Sequence, residues 1–128
     1  AKILPYLRGK LNPIPQDNSQ ATYCKLIKKE DGRIDWNKPA IEIHNQVRAY
    51  NPWPSAFAKL GGLDLKIITA EVVDKKLPSG EILFDKEIIV GTAHKSLKIL
   101  ELQLAGKKIM TAAEFIRGYR KYLSDNFN

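Results

Sequence analysis

The chain has 128 residues, room for one domain, and with 44% hydrophobic and 27% charged residues it has the balance of an ordinary globule. No apolar run approaches the roughly 20 residues a membrane helix needs. One cysteine excludes an internal disulfide or cysteine-based zinc cluster, and a pair of histidines argues against a histidine metal site. Lysine and arginine number 21 against 14 acidic residues, and the net charge of +7 favours a polyanionic partner over an acidic small substrate.

The first residues, Ala1-Lys2-Ile3-Leu4-Pro5, lack a long apolar core and a small-residue cleavage site, so a secretory signal is not expected and a cytoplasmic location is. Ile3, Leu4 and Leu7 form an apolar cluster too short to make a core and read as the stub of a preceding domain. The alternative is an N-terminal arm packed on the domain downstream of it. Residues 11–20 carry two prolines and a polar cluster without periodicity, the composition of an extended linker. The domain proper is therefore placed at residues 21–128, after a stub and linker at 1–20.

Residues 21–27 suit a strand, ended by the turn chemistry of Glu30-Asp31-Gly32-Arg33. A helix comes next, with Asn37 as its N-cap and Pro39 in its first turn. Ala40, Ile43, His44 and Val47 share one of its faces, and the prolines of Tyr50-Asn51-Pro52-Trp53-Pro54 end it. Short strands are expected at 55–60, 65–73 and 86–90, with turns at Gly61-Gly62, Pro78-Ser79-Gly80 and His94-Lys95-Ser96. In the second of these strands the apolar set changes phase from Leu65/Ile67 to Ile68/Ala70/Val72. The same slip recurs where Leu97/Ile99 give way to Leu100/Leu102/Leu104. Side chains alternate with period two, so a phase change requires a bulge or sharp bend, the device of small barrels. Near the end, Thr111-Ala112-Ala113-Glu114 spells a capping box opening a helix with Phe115, Ile116 and Tyr119 on its apolar face and Arg117, Arg120 and Lys121 towards its end. These elements predict a mainly β fold with two helices, a small OB-like Greek-key barrel.

Several words in this sequence carry a family resemblance. Ala21-Thr22-Tyr23, Lys29-Glu30-Asp31-Gly32-Arg33-Ile34-Asp35-Trp36 and the run from Ile43 through Arg48-Ala49-Tyr50-Asn51-Pro52-Trp53-Pro54 resemble, in order and spacing, the methionyl-tRNA formyltransferase C-terminal domain family. Leu65-Lys66-Ile67, Pro78-Ser79-Gly80, Leu102-Gln103-Leu104 and Gly106-Lys107-Lys108-Ile109-Met110-Thr111 through Gly118 resemble its later blocks. The chain departs from the pattern at Ser55, where that family commonly has glycine, and at Cys24-Lys25, a pair that often includes proline there.

The resemblance implies a parent enzyme that moves a formyl group from 10-formyltetrahydrofolate to the amino group of methionine on initiator tRNA. Its catalytic residues lie in an N-terminal domain, so no catalytic residue, cofactor or metal is assigned to this chain. The implied partners are initiator tRNA charged with methionine and the parent's own catalytic domain, with no membrane and a monomeric state. A rival reading is an interaction domain of a sugar- or folate-linked formyltransferase that does not bind RNA.

Phosphate contacts need exposed, clustered cations that release condensed counterions. The candidates are Lys25, Lys28, Lys29 and Arg33 on the first strand and its turn, Arg48 and Lys66, then Lys107, Lys108 and Arg117 near the end. Trp36 and Trp53 are both expected to be packing anchors, so no exposed aromatic is anticipated for stacking unpaired bases. Recognition of folded RNA by backbone and shape follows from that expectation. His44 has no nucleophile or carboxylate at a spacing that completes a catalytic set, and it is expected to be a packed, hydrogen-bonded helix residue.

Overall fold

The computed structural model of the protein describes residues 2–119. Its elements, in chain order, are α1 (Ile3–Leu7), α2 (Ala40–Tyr50), β1 (Ala56–Leu60), β2 (Leu63–Val73), β3 (Ile82–Phe84), β4 (Ile88–Gly91), β5 (Ser96–Leu104), β6 (Ile109–Thr111) and α3 (Ala112–Gly118). Two 3-10 turns, Asn18–Gln20 and Lys29–Gly32, punctuate the long segment before α2. The strands form a six-stranded antiparallel sheet in the order β1-β2-β5-β4-β3, with β6 pairing β5 beyond β4. Strand β5 is the spine: one edge takes β2, and the other is shared by β4 near its start and β6 near its end. The sheet curls over α2, giving the mainly β, OB-like architecture expected. Besides the two expected helices, α2 and α3, there is the five-residue α1, which buries none of its residues.

The phase slips in the sequence meet in space. Ile67 pairs with Leu102 and Ala70 with Ile99, while between them Thr69 pairs with Glu101 and the register shifts. Ile68 and Leu100 are the residues left out of register, one in each strand. The two slips compensate, so Leu65, Ile67, Ala70, Leu97, Ile99, Leu102 and Leu104 all stay buried on one concave face. That face receives Ile43 and Val47 from α2 and Phe115 from α3, and a fully buried Ile, Leu or Phe contributes about 1.5–3 kcal/mol. Tyr119 stacks on Phe115 with ring centroids 5.0 Å apart.

Four local expectations are corrected. Residues 21–27 form no strand: no ladder partner among the described residues reaches them, and Tyr23 and Leu26 are almost fully exposed. A strand needs a neighbour's backbone groups as well as its own propensity. Helix α2 begins at Ala40, not after Asn37, because the Asp35 carboxylate accepts the Asn37 N–H at 3.0 Å and closes a turn there. The Ala40 N–H instead donates to the His94 carbonyl, a partner remote in sequence. The strand expected at 86–90 is a hairpin of β3 and β4 around residues 85–87. Trp36 is buried as expected, but Trp53 is 62% exposed and is no packing anchor.

The capping box of α3 is as the sequence spells it. Thr111 Oγ1 accepts the Glu114 N–H, and the Glu114 carboxylate accepts the Thr111 N–H at 2.7 Å. The Thr111 N–H, and after it the Thr111 hydroxyl donating to the same carboxylate at 2.8 Å, hold the Glu114 carboxyl below its ordinary value. Arg120 and Lys121 lie outside the described residues.

Candidate functional site

Partners across an antiparallel ladder point to the same face, so register alone lays out the outer surface of the sheet. Phe57 pairs with Lys66, Lys66 with Gln103, and Gln103 with Ile109. A parallel bridge adds Arg33 beside Phe57, where the Ile34 N–H donates to the Phe57 carbonyl at 2.8 Å. One straight row therefore crosses the molecule as Arg33, Phe57, Lys66, Gln103, Ile109. Its neighbours on each ladder, including Ile34, Ile67 and Leu102, point inward and are buried, which keeps this row outside.

Both ends of the row gather further cations. At the β5–β6 end, the Gln103 side-chain amide donates to the Lys107 carbonyl at 2.8 Å, tying the turn that carries Lys107 and Lys108 to the row. At the other end, the 3-10 turn of Lys29–Gly32 sits against β1 because Gly32 has no side chain. A Cβ there would collide with the Ser55 carbonyl oxygen and press on the Phe57 ring. That close approach brings Lys29 to a groove shared with Trp53, Pro54, Phe57 and Lys66.

Acidic side chains lie among these cations, and three of them are themselves bonded. Asp64, which also lines the groove, is paired to Lys59 at 2.8 Å. Glu101 accepts from Thr69 at 2.6 Å, and Asp31 from the Lys28 N–H at 2.7 Å. Lys29, Arg33, Lys66, Lys107 and Lys108 are all exposed. The cations of this face are interspersed with carboxylates, Asp64 in the groove with Lys29 and Lys66, and Glu30, Asp31 and Glu42 around Arg33.

The structure divides the sequence candidates. Lys29, Arg33, Lys66, Lys107 and Lys108 come together on the row and its two ends. Lys25 and Lys28 lie on the exposed segment before it, on no strand. Arg48 is on α2, off the row, with its guanidinium donating to Asn45 Oδ1 at 2.7 Å. Arg117 is in the last turn of α3, close enough to Glu114 to help lower that carboxyl. Phe57, Gln103 and Ile109 were not singled out as site residues from sequence: Gln103 alternates with Leu102 and Leu104, but Phe57 and Ile109 are apolar and carry no outward signal. Only the strand register puts them in one line.

Half-buried His44 completes no catalytic set, and no group of three or more His, Cys, Asp or Glu side chains converges among the described residues. No helix among them is long and apolar enough to cross a membrane.

The fold is a curled six-stranded, OB-like sheet whose outer face carries a row that includes Arg33 and Lys66. The family described as "Formyl transferase, C-terminal domain" matches residues 26–120, and the chain belongs to that family. It is 44% identical over 113 residues to the methionyl-tRNA formyltransferase of Trichlorobacter lovleyi, covering 87% of this chain and 36% of that protein. It is 43% identical over 117 residues to the methionyl-tRNA formyltransferase of Bacillus velezensis, with 88% and 37% covered. The chain thus spans well under half the length of these relatives. Among solved structures, a variant of HypX from Aquifex aeolicus superposes with a TM-score of 0.63 at 22% identity, over 93% of this chain and 22% of that one. HypX in complex with tetrahydrofolic acid gives 0.60 at 23% identity, over 91% and 22%. The likeness to HypX is one of fold.

Proposed function

We propose that this domain docks initiator tRNA for a methionyl-tRNA formyltransferase whose catalytic residues lie in a separate N-terminal domain. The observation that carries the reading is the row from Arg33 to Ile109 with Lys29, Lys107 and Lys108 at its ends. The relatives named above are methionyl-tRNA formyltransferases, which supports a methionyl-tRNA as the RNA. The parent reaction transfers a formyl group from 10-formyltetrahydrofolate to the amino group of methionine on that tRNA, in the cytoplasm. Within it, residues 1–20 serve as linker and stub, the domain faces its own catalytic domain, and the protein works as a monomer.

The physical role comes from charge and shape. Lysine and arginine side chains along one face neutralise successive phosphates and release their counterions, which holds a folded RNA without reading its bases. The domain contributes affinity and orientation, and the neighbouring domain contributes chemistry.

The test is titration of the 128-residue chain with methionyl initiator tRNA over a range of salt concentrations. Binding whose logarithm falls linearly with the logarithm of salt, with no turnover when 10-formyltetrahydrofolate is supplied, is the expected result. Absence of any salt-dependent binding would favour an interaction domain indifferent to RNA.

A further inference from the structure

Trp53 stands out because a large aromatic on a well-packed domain is usually buried, and here its indole is 62% exposed while Trp36, the other tryptophan, is 5% exposed. It lies between Pro52 and Pro54, whose rings restrict the local backbone, so the indole is presented from a stiff segment. It lines a groove in which Pro54 and Phe57 are further apolar residues. Lys29 and Lys66 also line it, and its one acid, Asp64, is paired to Lys59. The groove is continuous with the cationic row, since Phe57 and Lys66 belong to both.

We propose that the Trp53 groove takes an unpaired nucleobase of the RNA, stacked on the indole, with Lys29 and Lys66 engaging the flanking phosphates. This rests on the RNA-docking function above and adds a preference for a single-stranded segment over a duplex. Flat π faces of bases and indoles attract whatever the base identity, and a cation on either side matches the charge that accompanies every base. Acidic side chains of a protein would also pair with the two lysines, and a protein occupant is therefore one outcome of the test below.

The chain carries its own reporter, because collisional or contact quenching of exposed tryptophan registers Trp53 and not buried Trp36. The full 128-residue chain is titrated with a single-stranded oligoribonucleotide of about 8 nucleotides and with a duplex of equal length. The single strand is expected to quench Trp53 emission and the duplex to leave it unchanged. Trp53→Ala should weaken single-strand binding by about 5- to 100-fold and duplex binding hardly at all. Trp53→Phe, which keeps a ring, should retain most of the affinity and separates lost stacking from misfolding. Single-strand binding without quenching, or with equal strength in Trp53→Ala, would overturn the stacking site while leaving RNA docking intact. No binding of either RNA at low salt would remove both. Emission that answers only to a separately supplied formyltransferase catalytic domain would assign the groove to protein contact and overturn the proposal.

Discussion

Thr69 and Glu101 face each other where the β2–β5 ladder changes register, and the Thr69 hydroxyl donates to the Glu101 carboxylate at 2.6 Å. The pair closes the outer side of an irregularity whose inner side is the uninterrupted core. Each strand carries one residue out of register, so the bend is shared and neither apolar set is turned to solvent.

Replacing Thr69 with alanine removes both the cross-strand bond and a β-branched side chain, and a loss of about 1 kcal/mol is expected. Urea denaturation reads it directly. An unchanged midpoint would mean that the irregularity is held by the core alone.

Ser55 occupies a backbone position with φ of +71° and is nearly buried, while its hydroxyl donates to the Pro52 carbonyl at 2.7 Å. Glycine in its place relieves about 1–2 kcal/mol of left-handed strain and forfeits a bond of about 1 kcal/mol, so Ser55→Gly should fall within about 1 kcal/mol of the natural chain. Ser55→Ala keeps the strain and loses the bond, and should be less stable by about 1–2 kcal/mol. The predicted order, glycine and serine above alanine, is checked by thermal or chemical melts.

Gly32→Ala should cost about 1–3 kcal/mol, because the added methyl meets the Ser55 carbonyl oxygen, a backbone atom with little freedom to move. The φ of Gly32 is not in the left-handed region, so the penalty measures the close approach that carries Lys29 to the groove. A melting curve identical to that of the natural chain would contradict that packing.

The α3 capping box should respond to acid. Glu114 is ionised more readily in the folded chain than in the unfolded one, so its contribution is fully present above the ordinary value of 4.5 and is lost as pH falls through the lowered folded value. Carboxyl NMR titration should place Glu114 below 4.5, and Glu114→Gln should flatten the acid dependence of stability. Thr111→Ala should cost about 1 kcal/mol at neutral pH. A Glu114 titration at or above the ordinary value would contradict the observed geometry.

Charge reversal separates the cationic row from other basic positions. Lys66→Glu and Lys107→Glu should each weaken tRNA binding and lower the salt slope by about 1, with stability changed by less than about 0.5 kcal/mol. Arg48→Glu, off the row, should have a smaller effect. Equal losses at all three positions would move the contact surface away from the outer sheet face.

Much of the fold was legible because its signals are local. The capping box needs only Thr111 and Glu114 three residues apart, and the Gly61-Gly62 turn needs only residues tolerant of φ values of 52° and 81°. The phase slips were visible because period-two alternation is a property of the chain. Residues 21–27 misled because strand propensity says nothing about whether an edge is available to pair with. Trp53 misled for the complementary reason: aromatic bulk predicts burial only when the fold supplies a pocket.

Basic residues, their number and their local clustering were settled by the order of amino acids, as were the family words from Ala21 to Gly118 and the apolar face of α2. The outer row was not. Arg33, Phe57, Lys66, Gln103 and Ile109 are scattered over most of the domain's length and become one row only through ladder register. Register is decided by which apolar sets can share a core, a non-local energy that no single segment contains.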